Sequence, residues 1–249
     1  MSAIYTVWFR SVLKYVRSKS RIIGSLGMPF FFLVIMGFGL NRSVQAPITG
    51  VEYIDFIAAG IVSMSVLFAS MFSGVQLVID KQFGFLKETL VAPVSRLQLM
   101  IGQTLGGATT AMLQGLLVFF ISFLVGVKMP GIGGIFIGMG FMFLIGMAFT
   151  ALGISFASRM EDTQGFQLIV NFIIFPLFFL SGALFPLKGL PDWLLFFTRL
   201  DPLTYGVAGV RYGMLGSSQI PPMTSFAVLG SFAAAMILLG AFLFRKIKL

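Results

Sequence analysis

The chain contains no cysteine and no histidine, and only 10% of its 249 residues are charged. The missing cysteines exclude disulfides and thiol nucleophiles, and the missing histidines exclude histidine metal sites and histidine acid–base chemistry. A typical soluble domain has about 25% charged residues. Hydrophobic residues make up 58% of this chain, and its mean hydropathy is +1.01. This composition indicates a polytopic membrane protein with little chain left for a soluble domain.

Two features of driven transport are also missing. The chain has no G-x-x-x-x-G-K-[ST] motif, so it binds no nucleotide through a P-loop. None of the proposed spans holds an Asp, Glu, Lys or Arg in its middle, which argues against a proton-coupled carrier or a channel with a charged filter. A sodium-coupled carrier that uses backbone carbonyls stays open. If transport is driven, another subunit must supply the drive and act on a surface of this chain.

The hydrophobic runs predict an all-α protein with six membrane spans, at 22–40, 56–79, 99–127, 132–158, 166–185 and 226–244. Between the last two lies a stretch, 186–222, that is apolar but interrupted by Pro186, Pro191, Pro202, Pro221 and Pro222. Its pieces are too short to span, so we expect short helices that dip into the membrane surface or turn back within the protein. The small-residue pairs Gly102–Gly106 and Gly134–Gly138 would allow close helix contact, although such pairs are common in glycine-rich spans.

The distribution of positive charge predicts the orientation. With six spans, the side that holds both ends of the chain carries 12 of the 17 lysines and arginines. The side richer in these residues is normally cytoplasmic. We therefore expect both termini in the cytoplasm, and the net charge of +9 reflects this orientation and does not indicate nucleic acid binding.

The first residues, 3–21, predict an amphipathic helix in the plane of the membrane. Arg10, Lys14, Arg17 and Arg21 are spaced so that they share one helical stripe. The opposite face is apolar and aromatic, with Tyr5, Trp8, Val12, Tyr15 and Val16. The basic face is expected to lie against lipid headgroups or against a partner.

A polar island at residues 80–96 separates the second and third spans. Phe83, Leu86 and Leu90 recur at helical spacing, and Pro93 would end the helix. A short helix with one apolar face at the membrane surface fits either a socket on another protein or the lipid surface itself. Because another subunit would have to supply the energy for transport, we favour the interpretation that this helix binds another protein.

The residues of this island resemble a family signature. In order they are Asp80, Lys81, Phe83, Gly84, Leu86, Glu88, Leu90, Val91, Pro93, Ser95 and Arg96. The pattern is similar to that of the ABC type-2 transporter permeases, which include daunorubicin-resistance and polysaccharide-export permeases. Gln82 and Lys87 stand where this family often has glutamate, which leaves open which residue makes the polar contacts with a partner.

A second block resembles the same family in its stretch after the fifth helix. Its residues are Ser181, Gly182, Phe185, Pro186, Leu187, Leu190, Pro191, Trp193, Asp201, Pro202, Leu203, Thr204, Tyr205 and Arg211. Asp201 stands where asparagine is common in that family. The order of the blocks and the six spans also match, so the resemblance covers nearly the whole chain.

The resemblance implies a coupling helix over 80–96 that sits in a cleft of a separate ABC ATPase subunit. The coupling residues would be Phe83, Gly84, Leu86, Lys87, Glu88, Leu90, Pro93 and Arg96. Residues 3–21 would lean on the same subunit as an interfacial helix. The extracytoplasmic re-entrant region would carry Pro186, Pro191, Trp193, Asp201, Pro202, Tyr205 and Arg211.

The implied assembly is a permease homodimer with two ATPase subunits, in the plasma membrane of a prokaryote. ATP and Mg would be bound by the ATPase, and this chain would hold no cofactor and no catalytic residue. The expected function is export of a lipophilic drug-like or lipid substrate. Two alternatives stay open, a permease for a lipid-linked polysaccharide and a structural or regulatory membrane subunit without its own pathway. The 30 phenylalanines could line a path for such a substrate or simply face lipid.

Overall fold

The computed structural model describes residues 3–40, 51–84, 95–187 and 189–245, and the regular elements in these ranges are all α-helices. In chain order they are α1 Ala3–Arg17, α2 Lys19–Leu40, α3 Tyr53–Phe72, α4 Val75–Gln82, α5 Arg96–Leu124, α6 Ile132–Ala157, α7 Thr163–Leu180, α8 Asp192–Leu200, α9 Pro202–Leu215 and α10 Pro222–Arg245.

Six helical segments of the described chain are long and apolar enough to cross a membrane. They are Lys19–Gly39, Tyr53–Gln82, Arg96–Leu124, Ile132–Ala157, Thr163–Leu180 and Pro222–Leu243. The prediction of an all-α protein with six spans is thereby confirmed. The fifth span ends at Leu180, short of the predicted residue 185, because the chain turns at Ser181 and Gly182, where Gly182 has a φ of 70°.

Helix α3 forms the centre of the bundle. Every residue from Tyr53 to Leu67 is buried, and α2, α5, α6, α7 and α9 all pack against α3. A helix that is apolar on all sides belongs in a core surrounded by other helices. The peripheral helices α2 and α7 instead expose large apolar side chains such as Phe31, Phe38 and Phe172, as lipid-facing helices do.

Glycines set the closest helix contacts, and both small-residue pairs of the sequence take part. A Cβ at Gly102 would lie 2.9 Å from Cβ of Val7, and one at Gly106 would lie 2.6 Å from Cβ of Ser11, so this pair seats α1 on α5. Gly134 and Gly138 of α6 lie against Gly213 of α9, where a Cβ would meet the Gly138 nitrogen at 2.6 Å. The absence of side chains lets these backbones approach closely.

The N-terminal segment differs from the single helix expected over 3–21. Helix α1 ends at Arg17, and α2 begins at Lys19. The Ser18 N–H donates to the Tyr15 carbonyl at 3.0 Å, and the Ser18 carbonyl accepts from the N–H groups of Arg21 and Ile22 at 3.1 Å. These bonds close one helix and start the next, so Arg21 belongs to the first span and not to the surface helix.

The stretch after the fifth span contains two short helices, α8 and α9. Asp201 separates them and caps α9, because its carboxylate accepts from the Leu203 N–H at 2.9 Å. Pro202 occupies the first turn, where its missing N–H is not needed. Helix α9 ends at Leu215, and the next residue, Gly216, caps it with a φ of 70°. Whether this region is re-entrant at the extracytoplasmic face stays a prediction.

Candidate functional site

The polar end of the second span is held from one side by α1. Both carboxylate oxygens of Asp80 lie 3.4 Å from Nη2 of Arg10, and Gln76 Nε2 donates to Asp80 Oδ1 at 2.8 Å. The Asp80 side chain is only 12% exposed, whereas that of Arg10 is 49% exposed. This ion pair joins α1 to the end of α4.

Lys81 and Gln82, the next two residues, bind the side of α4 that faces the α6–α7 loop. Lys81 Nζ donates to the carbonyls of Ser158 at 3.0 Å and Met160 at 2.7 Å, and Gln82 Nε2 donates to the Glu161 carbonyl at 3.0 Å. These carbonyls follow the end of α6, where backbone acceptors lack helical partners and a positive charge is favourable. Asp80 and Lys81 therefore fasten α4 between α1 and the α6–α7 loop.

After Asp80 and Lys81, which form the joint between α4, α1 and the α6–α7 loop, the chain leaves the helix. Helix α4 ends at Gln82, the Phe83 N–H donates to the Ile79 carbonyl at 3.0 Å, and Gly84 has a φ of 78°. A φ in the left-handed region stops a right-handed helix, so α4 does not continue past Gln82, and Phe83 and Gly84 form the turn that follows it. This turn interrupts the single helix that the sequence predicts over 80–96. Phe83 is 73% exposed.

Of the other predicted coupling residues, Leu86, Lys87, Glu88, Leu90 and Pro93 lie outside the residues that the structure describes. Arg96 is the first residue of α5. That helix starts with a capping box, in which Ser95 Oγ accepts from the Gln98 N–H and Gln98 Oε1 accepts from the Ser95 N–H, both at 3.2 Å. The polar island is thus bounded by two defined helix ends.

The surface helix α1 is fixed to the bundle along its aromatic side. Trp8 Nε1 donates to Thr109 Oγ1 of α5 at 3.0 Å, and Tyr15 is only 7% exposed. Along the basic stripe, Arg10, Lys14 and Arg21 line a common cavity with Asp80, but Arg17 does not. Burial and then the charge of Arg10 lower the pKa of Lys14, whereas the carboxylate of Asp80 opposes this shift.

These contacts place several parts of the chain at one end of the bundle. They are α1, the end of α4, the start of α5 and the α6–α7 loop. Gly240, near the end of α10, packs there too, because a Cβ on it would lie 2.9 Å from the sulfur of Met100 and 3.0 Å from Oγ of Ser155. Which membrane face this end occupies stays a prediction from the lysine and arginine distribution.

Arg211, the last residue of the second predicted block, packs against α3. Arg211 is buried, donates from Nη2 to the Gly182 carbonyl at 3.0 Å, and stacks on the Phe56 ring with its guanidinium carbon 3.8 Å from the ring centroid. Burial lowers the pKa of Arg211 to about 9, so the guanidinium stays charged at neutral pH. Burial raises the pKa of Asp201 to about 8.

The other members of this block are more accessible. Tyr205 OH donates to the Arg199 carbonyl at 2.9 Å, which joins α9 to the end of α8. Trp193 is 66% exposed, and Pro191 is exposed just before α8. Pro186 lies in the connection that follows the turn at Ser181 and Gly182.

Several partners in these contacts were not predicted as functional residues. Gln76 and Gln103 sit inside or beside apolar runs, and their only sequence signal is polarity at span depth. Tyr15 was assigned only to the apolar face of the surface helix. Phe56 gives no signal at all among 30 phenylalanines. No group of three or more Asp and Glu side chains that could hold a metal ion occurs within the described ranges.

The fold and the joint define a class, a helical multi-span membrane protein whose spans are fastened at one end by a surface helix and a polar turn. The family model described as ABC-2 type transporter matches residues 2–215. The chain is 28% identical over 249 residues to "Inner membrane transport permease YadH" of Escherichia coli K12, covering 95% of this chain and 92% of that relative. It is 27% identical over 255 residues to "Nodulation protein J" of Rhizobium meliloti, covering 96% and 92%.

This chain belongs to the ABC-2 type transporter family. The resemblance found in its two sequence blocks is thereby confirmed.

Proposed function

We propose that this chain is the permease subunit of an ATP-driven exporter in the plasma membrane of a prokaryote, and that a separate ABC ATPase supplies the energy. ABC-2 permeases generally work with ABC ATPase partners. The printed name of the Escherichia coli relative describes an inner membrane transport permease. In this chain, which has no P-loop motif, ATP and Mg would be bound by the ATPase.

The observation that carries the proposal is the double fastening of α4. Asp80 holds α1, and Lys81 holds the end of α6, immediately before the exposed Phe83 and the turn at Gly84. A push on the polar island would therefore reach the surface helix and two spans together. Packed and bonded contacts transmit such a displacement because protein interiors are hardly compressible.

In the proposed mechanism, ATP binding closes a pair of ATPase subunits against the polar islands of two permease copies. Residues Phe83, Leu86 and Leu90 receive the motion, and α4 and α5 carry it into the membrane. The dimer interface then opens outward and releases a lipophilic drug-like or lipid substrate. The homodimer is part of the proposal, and cross-linking in the membrane would measure it.

The coupling step is tested with the chain co-expressed with a candidate ABC ATPase and reconstituted in lipid nanodiscs. The double variant Leu86→Asp/Glu88→Ala should lose ATPase co-purification and substrate-stimulated ATP hydrolysis, because the apolar contact and its charged neighbour are both removed. Phe197→Asp, on the exposed face of α8, is the matched control and should keep both properties. Normal co-purification and hydrolysis in the double variant would contradict the proposal.

The substrate class is tested with the same reconstituted complex and a panel of lipophilic drugs, phospholipids and lipid-linked sugars. Stimulation of ATP hydrolysis by drugs or phospholipids supports the proposed cargo. Stimulation by lipid-linked sugars alone would replace it with glycan export. If no ATPase binds at all, a structural or regulatory membrane subunit becomes the better description of this chain.

A further inference from the structure

A small polar cavity lies where α1, α4 and α5 meet. It has a volume of about 100 Å³, and its charged lining consists of Arg10, Lys14, Arg21 and Asp80. Three cations thus face one carboxylate, and that carboxylate is already bonded to Arg10 and Gln76. The described lining therefore carries an excess of positive charge, which an anionic group would balance.

Two residues that line this cavity each have a buried polar atom with no hydrogen-bond partner among the described residues. These atoms are the hydroxyl of Tyr15, whose side chain is 7% exposed, and Oε1 of Gln103. A buried polar atom without a partner costs about 1–3 kcal/mol, so native structures normally satisfy such atoms with protein, water or ligand. A ligand with oxygen acceptors and at least one donor would satisfy both.

A larger apolar cavity of about 420 Å³ adjoins the polar one, between α2 and α3. Tyr15, Arg21, Ser73 and Thr110 line both cavities, and Met28, Met64, Phe68 and Phe72 are among the apolar residues of the larger one. Both helices belong to membrane spans. Gln103 lies about two turns into α5, and the charged lining of the polar cavity makes a lipid headgroup the part of a lipid that this cavity would hold.

We propose that the adjoining cavities bind one anionic phospholipid, with its phosphate in the polar cavity and an acyl chain in the apolar one. Lys14, Arg21 and the Tyr15 hydroxyl donate to the phosphate oxygens, and a headgroup hydroxyl donates to Gln103 Oε1. The bound lipid would fasten α1 to the first two spans. The site goes beyond the proposed export function, because it would be filled whatever cargo is moved.

A general attraction between the basic stripe and anionic lipid is the competing explanation, and Arg17 separates the two. Arg17 is exposed and lies on the same helix, yet it does not line the cavity, and Lys19 also lies outside it. The pair Arg17→Gln/Lys19→Gln therefore removes the same charge as Lys14→Gln/Arg21→Gln without touching the site.

The test uses the full chain, purified and delipidated in detergent, and titrates it with dioleoylphosphatidylglycerol while thermal unfolding and lipid adducts in native mass spectrometry are followed. Lys14→Gln/Arg21→Gln should weaken the apparent affinity by about tenfold, and Arg17→Gln/Lys19→Gln should leave it nearly unchanged. Tyr15→Phe, which keeps the shape and removes only the hydroxyl, should weaken it by about fivefold. Equal losses in the two charge pairs, or no loss in Tyr15→Phe, would overturn the proposal.

Two further titrations identify the source of the anionic group. Dioleoylphosphatidylcholine, which is zwitterionic, should bind at least about tenfold more weakly than the phosphatidylglycerol. Soluble glycerol 3-phosphate should give no comparable stabilisation, because it lacks the acyl chain that fills the apolar cavity. Equal stabilisation by glycerol 3-phosphate would make this a site for a free anion and would refute the lipid assignment.

Discussion

Arg211 stacks on Phe56, with its guanidinium carbon 3.8 Å from the centroid of the ring. The arginine is buried against the central helix, and its Nη2 donates to the Gly182 carbonyl at 3.0 Å. One side chain thus joins α9, α3 and the turn after α7. A planar guanidinium can stack and donate at the same time, which an ammonium cannot do in the same geometry.

Arg211→Lys should therefore destabilise the protein while keeping the positive charge. The loss of stacking and of the bond to Gly182 is expected to lower the free energy of unfolding by about 1–3 kcal/mol. Denaturant titration in detergent micelles measures this change. Arg199→Lys, at an exposed position of α8, is the matched control and should change the stability little. An unchanged stability in Arg211→Lys would remove the stacking from the account of this fold.

The pH dependence of stability should report on Asp201. Burial raises the pKa of Asp201 to about 8, well above the value of about 3.9 for an unfolded chain, so the folded state favours the protonated carboxyl. The contribution of the Asp201 carboxyl to the free energy of unfolding is therefore complete below about pH 4 and is lost as pH rises through about 8. Between these values the free energy of unfolding falls with a limiting slope of about 1.4 kcal/mol per pH unit.

Asp201→Asn isolates this effect, since an amide oxygen can still accept from the Leu203 N–H but cannot ionise. Thermal unfolding between pH 6 and 9 should show a smaller loss of stability in this variant than in the wild type. Asp192→Asn, at an exposed position of α8, should keep the wild-type dependence. Parallel curves for the wild type and Asp201→Asn would show that another group titrates.

The ion pair between Arg10 and Asp80 should matter more for coupling than for stability. Arg10 is half-exposed, so the pair contributes only about 0.2–1 kcal/mol to the free energy of unfolding. Arg10→Gln or Asp80→Asn should nevertheless reduce substrate-stimulated ATP hydrolysis, because either change detaches α1 from α4. The exchanged pair Arg10→Asp/Asp80→Arg should recover part of this activity. A double-mutant cycle in which the two single effects simply add would show that the pair does not act as a unit.

The close contact between α6 and α9 predicts a strong effect of one methyl group. In Gly213→Ala the new Cβ would lie 2.6 Å from the Gly138 nitrogen and 2.8 Å from the Gly134 carbonyl oxygen, so the helices must separate. Such overpacking is expected to lower the free energy of unfolding by about 1–3 kcal/mol. Gly140→Ala, on the same α6 with nothing within 4 Å of the added atom, is the control and should be neutral or stabilising. The two variants are compared by unfolding in detergent.

Several features of the fold could be predicted from local sequence. The six spans follow from uninterrupted apolar runs, and the amphipathic character of α1 follows from the spacing of Arg10, Lys14 and Arg17. The family followed from two separated residue blocks and is supported by the match over residues 2–215. The predicted helix bounds differ from the structure at Ser18 and at Gly84. Backbone hydrogen bonds end the helix at Ser18 and a positive φ ends it at Gly84, whereas the periodicity of the side chains continues across both positions.

Length, hydropathy and short motifs are local properties, so they suffice to predict that this protein is helical, spans a membrane six times and belongs to the ABC-2 type transporter family. The tertiary structure was needed to show that Arg10 reaches Asp80, 70 residues away, and that Trp8 reaches Thr109, 101 residues away. It also shows that Arg17 stays outside the cavity that Arg10, Lys14 and Arg21 share. Such partners depend on how whole helices pack, and helix packing is set by contacts between residues that are distant in the chain.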